Sequence, residues 1–128
     1  MYEIQELKIG DERILEAKFT GNFERELAFS FIDTLAEYEA KYPNIKLLVD
    51  FTAVSKISIG FRDLKSIVQY VKDYDKRQGN AVFVTGPDLS KYMLAKLFVD
   101  LVSIFRPNQR NAFRRMEKAI NWLCPNIS

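Results

Sequence analysis

Seven residues, Ile45-Lys46-Leu47-Leu48-Val49-Asp50-Phe51, are apolar except for Lys46 and Asp50, and stretches of helical period lie on either side of them. An apolar run this short reads as a strand buried on both faces. Helices packed on both sides of a sheet bury a central strand in this way. The run therefore points to a layered α/β domain, and Ala81-Val82-Phe83-Val84-Thr85 repeats the pattern further along.

The remaining segments fall into place around these two. Tyr2–Leu7 and Arg13–Phe19, separated by Gly10-Asp11, predict an opening hairpin. Thr20-Gly21-Asn22 breaks the pattern. A helix is predicted over Phe23–Tyr42, with Phe23, Leu27, Phe31 and Leu35 on one stripe, Asn22 as its N-cap and Pro43-Asn44 as its stop. Thr52–Gly60 reads as a loop leading into a second helix over 61–76. Gly86-Pro87-Asp88 opens a third helix, Leu89 to about Phe105, with either Asp88 as cap or Pro87 in the first turn. Arg106-Pro107-Asn108 ends that helix. Asn111–Arg114 is a short edge strand, and Met116–Leu123 a last helix stopped by Pro125. The order is β-β-α-β-α-β-α-β-α: one domain over residues 1–128, with a mixed sheet of about five strands and four helices, joined by right-handed crossovers.

Composition narrows the chemistry. The chain has no histidine, which removes the commonest general base and metal ligand, and one cysteine, which excludes an internal disulfide and a cysteine-rich zinc site. Its five glycines form no phosphate-binding fingerprint, so no cofactor and no catalytic residue is expected. Nineteen Lys and Arg against 17 Asp and Glu leave a net charge of +2, too small to imply nucleic acid or a membrane surface. The start of the chain is charged from its third residue, and no apolar window is long enough to span a bilayer. A cytoplasmic location is the expectation.

Three features carry functional potential. The first is the segment from Leu48 to Phe61, since ligands and partners of α/β sheets engage at the carboxyl ends of strands. Asp50, Thr52, Ser55, Ser58 and Gly60 are its candidates for partner binding or phosphorylation. Ser58 reads either as a plain helix cap or as a modified residue at a helix start, with Ser55 and Thr52 turning the chain. The second is the helix Leu89–Phe105, more apolar than one buried face requires. Tyr92, Leu94, Phe98, Leu101 and Phe105 are its candidates for a face that covers a twin subunit or an apolar ligand, against the alternative of a helix sandwiched deeply in its own domain. The third is the basic set Arg106, Arg110, Arg114, Arg115 and Lys118, read as a solvated surface beside the edge strand. Without interleaved aromatics beyond Phe113 it does not indicate nucleic acid.

The segment Val49-Asp50-Phe51-Thr52 through Ile57-Ser58-Ile59-Gly60 resembles the signature of STAS domains, the SpoIIAA-like fold of anti-sigma-factor antagonists. In that family a buried strand ends in an LDLS-like run, followed by a DSSG loop and a helix. With the glycines aligned and a one-residue gap, Ile-Ser-Ile stands where the family has Asp-Ser-Ser. Without the gap, Ile59 falls on the phosphorylatable serine and Ser58 on the aspartate. The closing Ala112-Phe113-Arg114 and Ala119-Ile120-Asn121-Trp122-Leu123 resemble a divergent STAS-like branch grouped with the CRAL-TRIO lipid carriers. The resemblance implies a small non-enzymatic regulator with a protein partner, kinase-like or otherwise, and possible homodimerisation. The alternative is a carrier or sensor of an apolar or anionic small molecule.

Overall fold

The computed structural model describes residues 1–75, 77–107 and 109–125. Lys76, expected to end the second helix, and Asn108, expected in the break after the third, lie outside the described residues. The elements are β1 (Tyr2–Ile9), β2 (Glu12–Glu24), α1 (Arg25–Lys41), β3 (Lys46–Ser58), α2 (Phe61–Tyr74), β4 (Ala81–Val84), α3 (Leu89–Ser103), β5 (Arg110–Phe113) and α4 (Met116–Leu123). The expected order is present, and the five strands lie in one mixed sheet in chain order, β1-β2-β3-β4-β5. β1 and β2 form the antiparallel hairpin, and β2 through β5 run parallel.

Alternate residues of the parallel strands serve opposite faces. Leu15, Ala17, Phe19, Leu47, Val49, Ala81 and Phe83 meet Phe31 and Leu35 of α1 and Ala95 and Val99 of α3. Ile14, Leu48, Val82 and Val84 meet Ala119 and Leu123 of α4 on the other face. Burial on both faces explains the continuous apolar runs of β3 and β4.

Right-handed crossovers between strands added in sequence order put α1, α2 and α3 on the same face. Four parallel strands span only about 14 Å, whereas three helices abreast need about 16–20 Å between their outer axes. The middle helix yields. α2 packs chiefly on α1 and α3, burying Leu64, Ile67 and Val71 against partners such as Ala28, Ile32 and Val102.

Two expectations are corrected at the carboxyl end of β3. The segment 52–60 is not a loop, because β3 continues to Ser58. Nor does 20–22 break β2, which runs to Glu24 and pairs with the β3 extension through two register shifts. Phe23 therefore belongs to β2, where its ring sits 5.3 Å from Phe19 and 5.1 Å from Phe51. Asn22 does not cap α1, whose N-cap position is Glu24 with no side-chain hydrogen bond. At α3 the cap is Asp88, whose carboxylate accepts from the Lys91 amide at 3.1 Å. Cys124 is buried beside Glu12 and Lys46. Burial, then the Glu12 carboxylate, pushes its thiol up to about 11, so it is a poor nucleophile at neutral pH.

Candidate functional site

β4 pairs with β3 only from Leu47 to Asp50. Beyond Asp50, β3 keeps β2 on one side, while β4 ends at Val84 and leaves through Thr85 and Gly86. Among the described residues, the main chain of 52–58 thus borders β2 along one edge and no strand along the other. Lys91 covers the start of that free edge, its ammonium donating to the carbonyls of Phe51 and Thr52 at 3.4 Å each.

The five candidate residues on this segment stand in different environments. Asp50 is buried and turned onto its own strand: its Oδ1 accepts from the Thr52 amide at 2.8 Å and the Thr52 hydroxyl at 2.7 Å. That pairing meets one carboxylate oxygen of a buried side chain. Thr52, Ser55, Ser58 and Gly60 are exposed. Ser58 is not a helix cap. It ends β3, and its hydroxyl donates to Asn22 Oδ1 at 2.8 Å, tying the two strand extensions together. The cap of α2 is Gly60, whose amide donates to Asp63 Oδ2 at 3.0 Å, so the first donor of the helix is already met by a carboxylate of the same chain. Phe61, the first residue of α2, is 68% exposed beside this end of the sheet.

On α3 the structure divides the apolar residues differently from the sequence reading. Tyr92, Leu94, Phe98, Leu101 and Phe105 are half-buried; Tyr92 and Phe98 pack on the sheet-side core, Phe98 and Phe105 on the α2 side. The side chains left in solvent are Leu89, Met93 and Leu97, four residues apart, and Ile104. The helix is neither fully enclosed nor open along the candidate face.

Because α2 is lifted off the sheet, a cavity of about 90 Å³ remains beneath it. Its walls are aromatic and aliphatic, with Phe19, Phe51 and Phe83 from the sheet and Leu64, Ile67 and Val71 from α2. Half-exposed Ile57, Ile59, Lys91 and Leu94 line it towards the carboxyl ends of the strands, and buried Asp75, Arg77 and Arg110 line its other extreme. Arg110 thus departs from the expected solvated surface: it opens β5 and is buried, whereas Arg114, Arg115 and Lys118 of the same set are exposed. Sequence reasoning missed Asp75 and Arg77 altogether. Among the described residues, no three His, Cys, Asp or Glu side chains gather closely enough to hold a metal, and no helix is long and apolar enough to cross a membrane.

A mixed five-stranded sheet in chain order, with an antiparallel opening strand and three crossover helices on one face, is a STAS-like, SpoIIAA-like fold. No family model matches the sequence, and no curated protein matches it. Among solved structures, the chain is similar to an uncharacterized protein of the DUF3478 family with a SpoIIAA-like fold from Shewanella loihica PV-4, at 18% identity and a TM-score of 0.64, over 96% of this chain and 94% of that one. It is also similar to the anti-sigma factor antagonist SpoIIAA in its unphosphorylated form, at 12% identity and a TM-score of 0.52, over 93% of this chain and 94% of that one.

Proposed function

We propose that this chain is a non-enzymatic cytoplasmic regulator that engages a protein partner through the β2–β3 extension and the start of α2. The carrying observation is the strand edge of β3 beyond Asp50, unpaired on the β4 side and flanked by exposed Ser55, Ser58 and Phe61. A free edge offers backbone donors and acceptors to an added strand, and an exposed aromatic beside it offers an anchor. The fold shared with an anti-sigma factor antagonist supports a regulatory, protein-binding role. Phosphorylation of Ser58 fits this reading as a switch acting by disruption. A phosphate there would displace the hydrogen bond to Asn22 and set negative charge near Asp63, which already occupies the Gly60 amide. Self-association through the α3 stripe Leu89, Met93 and Leu97 completes the reading.

Affinity capture from cells of the source organism, quantified by mass spectrometry, tests it. Wild type should enrich a partner that Phe61→Ala and Ser58→Asp recover at least about fivefold less, a loss of about 1 kcal/mol. Asn121→Ala, exposed on α4, should recover it as wild type does. Co-expressed tagged and untagged copies report the dimer in the same preparation. If no protein distinguishes wild type from Phe61→Ala, this surface is not the docking site.

A further inference from the structure

The cavity beneath α2 ends in a charge cluster that its own residues do not satisfy. The Arg77 and Arg110 side chains are 2% and 4% exposed. Asp75 serves both: its Oδ2 accepts from Arg110 Nη2 at 2.9 Å, and its Oδ1 lies 3.5 Å from Arg77 Nε. Among the described residues, Arg77 Nε and Nη1, Arg106 Nη1 and Arg110 Nη1 have no acceptor, against only two unpartnered buried acceptors, Glu39 Oε2 and Gln109 Oε1. Arg106 and Glu39 are near enough to act on Arg77 electrostatically, so among the described residues the cluster holds three cations against two carboxylates. Buried polar side chains in folded proteins are nearly always hydrogen-bonded, and a buried surplus charge is costly. Desolvation, only partly opposed by Asp75, pushes Arg110 down to about 10, and it acts on Arg77 in the same direction. Both remain cationic at neutral pH.

An anion of one charge would remove the surplus and accept from the orphaned N–H groups. Each orphaned N–H can donate one charge-assisted hydrogen bond to a carboxylate oxygen. Next to these donors the cavity walls are rings and aliphatic chains, with no further polar group until Lys91. A ligand with an anionic head and an apolar body fits this sequence of surfaces, whereas a bare inorganic ion leaves the apolar part unfilled. At about 90 Å³ the space is smaller than a cavity of about 150 Å³ that accepts benzene, so the body is a short chain.

We infer that the cavity beneath α2 binds a monocarboxylate with a short apolar chain, its head held by Arg77 and Arg110 and its chain lying among Phe19, Phe51 and Phe83. The arginine end of the site is separate from the β3 edge, which the cavity meets only at its far end, at Ile57 and Lys91. Arg77 precedes β4 and Arg110 opens β5, at the amino ends of the parallel strands, while Ser58 lies beyond their carboxyl ends. The inference therefore stands or falls independently of the partner reading.

Isothermal titration and thermal unfolding of the full chain with straight-chain carboxylates from butanoate to decanoate, each beside the alcohol of equal length, provide the test. The acids should raise the unfolding midpoint, and affinity should climb about fourfold per methylene until the space is full. Each alcohol should bind at least about tenfold more weakly, having lost the charged hydrogen bonds. Arg77→Met should erase the preference for acid over alcohol. The acid–alcohol contrast in wild type decides the matter even if that variant fails to fold. Equal binding of acid and alcohol, inorganic phosphate binding as tightly as hexanoate, or no shift with any acid would each overturn the site.

Discussion

Asp75 is the carboxylate that accepts from Arg110 and lies beside Arg77, and its removal has a calculable consequence. Breaking a buried ion pair strands the surviving charge, which costs about 3–5 kcal/mol. Asp75→Ala should therefore lower the unfolding free energy by about that amount in urea titration, and adding Arg77→Met should recover a good part of it. A loss below about 1 kcal/mol would mean that water already solvates the pair, as it does for surface ion pairs. None of this was legible from the residues alone. Arg110 belongs to a basic set of which Arg114, Arg115 and Lys118 do lie in solvent. Arg77 stands among polar residues next to a turn. Charge near the end of an element ordinarily marks a solvated face, and only the lifting of α2 makes these two positions interior. At Ser58 the sequence singled out the hydroxyl as a helix cap or a modified residue but not its bond to Asn22, which lies 36 residues away and meets it only through strand pairing.

At the scale of elements, helices and doubly buried strands were legible because their periodicity is local. Leu64, Ile67 and Val71 lie on the inner face of α2, and Leu47, Leu48 and Val49 are buried in β3. The extensions of β2 and β3 were not. Thr52, Ala53, Ser55 and Lys56 carry little apolar signal, and Gly21 interrupts the partner segment. Their strand state rests on pairing with each other. Two glycines show how differently connections depend on local geometry. Gly21 sits at a register shift of β2 with φ of +73°, and a Cβ there would meet nothing within 4 Å. Gly21→Ala should cost only the left-handed penalty of about 1–2 kcal/mol. Gly79, between α2 and β4, lies so close to the preceding β3 turn that a Cβ would collide with the Ile45 carbonyl oxygen and come within 2.7 Å of the Asn44 oxygen. Both obstacles are backbone, so neither can rotate away. Gly79→Ala should destabilise by about 3 kcal/mol or more. The two variants compared in one denaturant series check the ranking, and a Gly79→Ala loss no larger than that of Gly21→Ala would refute the close approach.

Across the whole molecule, β3 belongs to two regions of unequal stability. From Leu47 to Asp50 it lies between β2 and β4, with α1 and α3 over one face of the sheet and α4 over the other. From 53 to 58 it has β2 alone, through a ladder with one register shift inside it and another just before it, and most of its side chains are exposed. Local opening is easiest where few buried contacts must be broken, so one strand should show two exchange regimes. In native-state hydrogen exchange, the amides of 47–50 and of β4 should exchange only with global unfolding, and those of 53–58 at least about a hundredfold faster. The difference has a functional consequence. An edge that opens without unfolding the core can rearrange to accept a partner strand while the arginine end of the cavity beneath α2 keeps its shape. A carboxylate bound at Arg77 and Arg110 should then slow exchange more in 47–50 and 81–84 than in 53–58, which meets the cavity only at its far end, through Ile57. Equal protection along the whole of β3 would mean that the extension is as rigid as the core, and a partner would then have to dock on it as a preformed surface.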